Sequence, residues 1–90
     1  MKIVEIPGER IGTEQELHDF LKSELDFPSY YGGNLDALWD TLMAYSSKPL
    51  TISWRNYQES EKELGKRAEK FKNLFEDVEK EMKEFSFVLN

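Results

Sequence analysis

The ninety-residue sequence predicts a two-layer α/β fold: a three-stranded parallel sheet with about four helices. Three observations predict it. Short runs rich in β-branched and aromatic residues stand at the start, middle and end of the chain, at 2–6, 50–54 and 85–89. Between them, apolar residues recur at spacings of three and four, the period of amphipathic helices. Connections this long and this helical favour parallel pairing, because antiparallel neighbours are joined by short turns. With no repeat, linker or low-complexity segment to divide it, the chain is expected to form a single domain over residues 1–90.

The elements follow in order. Lys2-Ile3-Val4-Glu5-Ile6 reads as a strand ending in a turn at Pro7-Gly8. Thr13, with Glu16 three residues on, is a capping-box pattern that opens a helix. Its apolar positions are Leu17, Phe20, Leu21 and Leu25, and it stops near Asp26, ahead of Pro28. His18, the one histidine, lies beside that stripe and is expected to be partly buried or at the surface. A second helix starts at Asn34, a good N-cap, with Leu35, Leu38, Leu42 and Tyr45 on one face. Ser46-Ser47-Lys48-Pro49 interrupts the chain before the strand Leu50-Thr51-Ile52-Ser53-Trp54. Asn56 with Glu59 repeats the capping-box pattern and opens a short helix that ends at Leu64-Gly65. A longer helix runs from about Arg67 to Met82, with Ala68, Phe71, Leu74, Phe75, Val78 and Met82 as its apolar stripe. Its other face mixes signs, the pattern of a solvated surface. Phe85-Ser86-Phe87-Val88-Leu89 is the third strand.

Charge points to one region. Net charge is −6, and residues 1–47 hold nine acids and three bases, whereas residues 48–90 hold nine of each. An acidic half repels nucleic acid and attracts basic partners. Within it, Asp36 and Asp40 lie four apart on one helix face, with Met43 beside them, and no Lys or Arg occurs from Ser23 to Ser47. Like charges at this spacing cost roughly 0.2–0.5 kcal/mol on an isolated helix. Asp36 gains from the helix dipole in the first turn, but Asp40 lies too far in. Two readings stay open: a solvated acidic face, or a surface that recognises something cationic.

Other chemistry finds little support. There is no cysteine, hence no disulfide or thiolate metal site, and the His, Asp and Glu residues show no metal-ligand spacing. Gly32-Gly33 lacks the flanks of a phosphate-binding loop. No cofactor and no catalytic residue is expected, although Asp36 and Asp40 have the spacing of an acid/base pair. The N-terminal residues contain no long apolar run and no segment is long enough to span a bilayer, so a soluble, unsecreted protein is expected.

The stretch Tyr30-Tyr31-Gly32-Gly33-Asn34-Leu35-Asp36-Ala37-Leu38-Trp39-Asp40 resembles the signature of the barstar family, intracellular inhibitors of the secreted ribonuclease barnase. The likeness extends over the whole chain through Leu17-His18, Pro28, Pro49-Leu50, Trp54-Arg55, Phe75 and the apolar C-terminal strand. It implies a cytoplasmic antitoxin or immunity protein, monomeric when free, that binds one basic ribonuclease and covers its active site with helix 34–45 and the preceding loop. Asp40 matches the aspartate that enters the nuclease cleft at a substrate-phosphate site. Asp36 matches a second aspartate of that surface, and Tyr30 the ring that stacks on the catalytic histidine. Tyr31, Gly32, Asn34, Leu35 and Trp39 fall in the same loop and helix start; Glu81 matches a family glutamate, and Asp77 replaces another with a shorter arm. The family has threonine-glycine-tryptophan where this chain has Met43-Ala44-Tyr45, which enlarges that end of the partner-binding surface. The family's cysteines fall at Thr41 and Lys83. The resemblance also implies a cis bond at Lys48-Pro49. An acidic binding module for a basic partner that is not a nuclease is the alternative.

Overall fold

The computed structural model describes residues 2–44 and 48–90. Three strands, β1 (Lys2–Pro7), β2 (Leu50–Arg55) and β3 (Phe85–Leu89), form one sheet in the order β1-β2-β3. Both neighbouring pairs are parallel, with Val4 opposite Ile52 and Ile52 opposite Phe87. A 3₁₀ turn (Gly8–Arg10) and helices α1 (Glu14–Glu24) and α2 (Leu35–Ala44) join β1 to β2. Helices α3 (Tyr57–Leu64) and α4 (Lys66–Glu81) join β2 to β3.

One sheet face carries the core. Val4, Ile6, Leu50, Ile52, Trp54 and Phe85 are buried, while the alternating residues Ile3, Glu5, Ser86 and Val88 are exposed. Against that face pack Leu17 and Leu21 of α1, Leu38 and Leu42 of α2, and Phe71, Phe75 and Val78 of α4. Burial of each large side chain stabilises by about 1.5–3 kcal/mol. The β3 edge is partly covered, because the Phe87 N–H donates to the Glu79 carboxylate at 2.9 Å.

The chain's breaks have identifiable causes. The Glu16 N–H donates to Thr13 Oγ1 at 3.1 Å, the expected cap. The Glu16 carboxylate, however, accepts from Gly12 N–H at 2.9 Å, one residue before the position a capping box would use. Helix α1 closes with Asp26 at φ +53 and a bond from Phe27 N–H to Lys22 carbonyl, a left-handed C-terminal cap built on aspartate. A Cβ on Gly8 would overlap the Arg55 and Asn56 carbonyls, so only glycine lets the first turn pass so close to the end of β2.

The second capping box does not form. Asn56 sits at φ +52 with no side-chain bond to the helix, and its Nδ2 donates instead to Glu9 Oε1 at 2.8 Å. A capping side chain normally stands on extended backbone, which Asn56 does not adopt, and the asparagine instead ties β2 to the 3₁₀ turn. Gly65, at φ +60, separates α3 from α4. The Lys48–Pro49 peptide is cis.

Candidate partner-binding surface

The loop before α2 and the exposed side of α2 form one surface. Gly33 takes φ +67 and turns the chain into Asn34. Asn34 caps the helix: its Oδ1 accepts from Ala37 N–H at 2.8 Å and its carbonyl from Leu38 N–H at 2.9 Å. The cap sets the phase of the helix. Leu38, Thr41 and Leu42 go into the core, and Asp36, Asp40 and Ala44 go to solvent. Leu35, Trp39 and Met43 are half-buried at the boundary and pack against the core. Thr41 had carried no signal in the apolar pattern, yet it is buried. At the far end of α2, Lys48 Nζ donates to the Leu42 carbonyl at 2.9 Å, placing a cation where the dipole favours one. Tyr45, expected to contribute both to the core stripe and to the binding surface, lies outside the described residues.

The two tyrosines part company. Tyr30 is 73% exposed, whereas Tyr31 is half-buried and turns inward. The Tyr31 ring lies 4.9 Å from that of Phe27, and its hydroxyl meets His18 Nδ1 at 2.6 Å. Gly32 is exposed beside them. His18 is only 3% exposed, more deeply set than its flanking position in the stripe suggested, and its ring lies 5.0 Å from that of Phe71. Burial pushes the Tyr31 phenol up and holds the His18 imidazole below its ordinary value; Glu14 and Asp19 offset part of the latter shift. Both groups are therefore neutral near pH 7.

Helix α4 completes the surface. Asp77 is exposed and shares a groove with Leu35, Asp36, Trp39, Leu74 and Lys70, where α2 lies against α4. The structure thus brings Asp36 and Asp77, 41 positions apart in sequence, to one groove. Glu81 is exposed at the last residue of α4, about one turn beyond Asp77. Lys70 escaped the sequence reading because the mixed charges of α4 gave no reason to single it out. A second cleft, at the N-terminal ends of α1 and α2, holds Glu14, His18, Asn34, Asp36 and Arg67; there Arg67 pairs with Glu14 at 3.1 Å. Among the described residues no group of three or more His, Asp or Glu is placed to hold a metal ion, and no helix is long and apolar enough to cross a membrane.

Fold and surface define a class: small α/β proteins with a three-stranded parallel sheet that present a capped acidic helix, preceded by an exposed tyrosine, to solvent. The family model described as Barstar (barnase inhibitor) matches residues 1–90. Over 90 residues the sequence is 39% identical to a Bacillus subtilis (strain 168) protein named "Putative ribonuclease inhibitor YrdF", with 99% of each chain covered. This chain belongs to the barstar family.

Proposed function

We propose that this protein is an intracellular inhibitor, an antitoxin or immunity protein, of a basic barnase-like ribonuclease. As a single domain and a monomer when free, it binds one nuclease and blocks the active site with α2 and the loop before it. The observation that carries this reading is the exposure of Asp36 and Asp40 on one face of a helix whose other face is locked into the core. Family membership and the relative's name point the same way.

A ribonuclease holds its substrate phosphates with arginine and lysine. A carboxylate takes over those donors through charge-assisted, often bidentate hydrogen bonds. In this reading Asp40 enters the cleft and Asp36 supports it from one turn back. Tyr30 offers an aromatic face to the catalytic histidine, and Asp77 and Glu81 hold the rim. Tyr31, Gly32, Asn34, Leu35, Trp39, Met43 and Ala44 shape the contact between these charges. Because α2 is fixed before the encounter, little ordering is lost on binding. The protein works by occlusion rather than catalysis and in the cytoplasm; its acidic half speeds the approach of a basic partner and disfavours nucleic acid.

The test is titration of barnase activity with this protein at low and at physiological salt. Stoichiometric inhibition that weakens as salt rises is expected. Inhibition indifferent to salt would count against the acidic face. Capture of only non-nuclease basic proteins would favour a general binding module instead.

A further inference from the structure

Arg67 stands at the edge of the acidic surface, and local stability does not account for it. It is the second residue of α4, in the first turn, where the helix dipole disfavours a cation. Its Nη1 pairs with Glu14 Oε2 of α1 at 3.1 Å, but the Arg67 side chain is 59% exposed, and ion pairs in water contribute little. We propose that Arg67 is a specificity-determining residue of the inhibitor: it receives a carboxylate that the ribonuclease presents beside its phosphate-binding cations. This rests on the reading of α2 as the nuclease-binding surface.

The cleft that holds Arg67 is continuous with the acidic face. It encloses about 570 Å³ and is lined by Glu14, Gln15, Gly33, Asn34, Asp36 and Arg67 among others. Asp36 lines this cleft and also the groove of Asp77, so a partner seated on Asp36 lies beside Arg67. At Gly33 no atom lies within 4 Å of where a side chain would begin, so the loop leaves space there. Gln15 is engaged by Asp19 at 2.8 Å, which leaves the guanidinium as the cleft's charged donor. Lys70, one turn on, differs in place: it stands between Asp36 and Asp77 in the groove they share, whereas Arg67 borders Asp36 from the other side.

The arrangement fits one kind of partner. Glu14 meets Nη1, and the rest of the planar fork can take a second carboxylate in bidentate geometry. A free polyanion is disfavoured, because Glu14 and Asp36 line the same cleft. A carboxylate fixed on a protein is instead carried in by the cations that dock on Asp36 and Asp40. A nuclease with lysine or arginine at that point meets Arg67 as a like charge, so the residue excludes as well as attracts.

The experiment measures inhibition constants against barnase for the wild type, Arg67→Ala, Arg67→Glu, Arg67→Lys and Glu14→Gln. Arg67→Ala should weaken inhibition about three- to tenfold and Arg67→Glu by more than about tenfold. Arg67→Lys should recover only part of the loss, because a point charge lacks the fork. Glu14→Gln should tighten inhibition by about two- to threefold, since Glu14 no longer competes for the guanidinium. If Glu14→Gln instead weakens inhibition as Arg67→Ala does, the pair only ties α1 to α4 and the proposal falls. Tighter inhibition by Arg67→Ala would place a cation of the nuclease in the cleft and overturn it equally. A double-mutant cycle names the contact: with each surface Asp and Glu of barnase neutralised in turn, one should couple to Arg67→Ala by about threefold or more. Coupling below about 1.5-fold at every one of them overturns the proposal. If Arg67→Ala inhibits like wild type while Asp40→Ala is inert, occlusion stands and the role of Arg67 falls. A wild type that leaves barnase uninhibited removes the reading itself, and the assignment of Arg67 falls with it.

Discussion

Asn34 and Ala37 are joined by a 2.8 Å bond from the Ala37 N–H to the Asn34 side-chain oxygen. That single cap decides where α2 begins, and so the direction in which Asp36 and Asp40 point. Replacing Asn34 by alanine leaves the Ala37 N–H to water and should cost about 1 kcal/mol. For a protein of this size the melting temperature should fall by ~4–8 °C. Asn34→Asp, which retains the acceptor, should hold near wild type. Thermal unfolding followed by circular dichroism checks both; an unaltered melting point in Asn34→Ala would mean that solvent replaces the cap without cost.

Asp40 is expected to dominate binding. It is exposed in the free protein, so its removal should leave the fold within about 0.5 kcal/mol of wild type. Truncating one partner of a buried, hydrogen-bonded charge pair typically costs about 2–5 kcal/mol of affinity. Asp40→Ala should accordingly weaken inhibition of a cognate ribonuclease by roughly 30-fold to several thousandfold, mainly through faster dissociation. A loss smaller than about threefold would remove Asp40 from the centre of the interface.

What the sequence made legible was mostly what neighbouring residues decide among themselves. Thr13 caps α1, Asp26 marks its end, and the alternation in 50–54 puts Leu50, Ile52 and Trp54 inside. Helical connections between strand-like runs led to the parallel sheet. Missed features depend on residues far apart. Asn56 has the composition of a cap, but the path from β2 into α3 needs a left-handed residue, and its side chain finds Glu9 forty-seven positions away. His18 and Tyr31 lie in separate segments that only the folded core brings together. For the acidic surface, helical spacing placed Asp36 beside Asp40, and Asp77 entered only through the family resemblance; the packing of α2 against α4 brings it to the groove of Asp36.

Ser60 illustrates the same limit and has a measurable consequence. It is fully buried; its hydroxyl accepts from the Trp54 indole N–H at 3.0 Å and donates to the Gly8 carbonyl at 2.8 Å. In Ser60→Ala the Gly8 carbonyl keeps the Ile11 N–H, at 3.3 Å, but the indole N–H is left unpartnered in the core. An orphaned buried donor costs about 1–3 kcal/mol. Chemical denaturation followed by tryptophan fluorescence should show a lowered midpoint with unchanged slope. A midpoint equal to wild type would mean that the indole gains a replacement partner.

Stability should fall on mild acidification. Burial holds the folded His18 imidazole below its ordinary value of 6.5, with Glu14 and Asp19 pulling the other way without cancelling the shift. Around the group lie Glu14 and Asp19 on α1, Asp36 at the start of α2, Tyr31 in the loop and Arg67 on α4. A depressed folded value means that the unfolded chain binds the proton more readily. The contribution is thus complete above pH 6.5 and is lost as pH falls through that value toward the lower folded one. Denaturation midpoints between pH 7.5 and 5.5 should decline in the wild type and decline less in His18→Asn, in which the titrating group is absent. Parallel curves would mean that other groups set the dependence.

Lys70 is the cation in the groove that Asp36 and Asp77 share, over a floor of Leu35, Trp39 and Leu74. For a partner that brings arginines and lysines to this face, an ammonium there opposes the approach. Its removal should therefore favour association more than it affects folding. Lys70→Glu changes the local charge by two and should raise the association rate with a basic ribonuclease by roughly two- to fivefold at low salt. The gain should shrink as added salt shortens the Debye length to about 3 Å near 1 M. An exposed site on α4 should tolerate the change within about 0.5 kcal/mol of stability. Stopped-flow association at two ionic strengths decides the matter. If Lys70→Glu instead slows association or speeds dissociation, the partner must present a carboxylate to Lys70, and the groove selects among nucleases by that charge rather than merely tolerating its own.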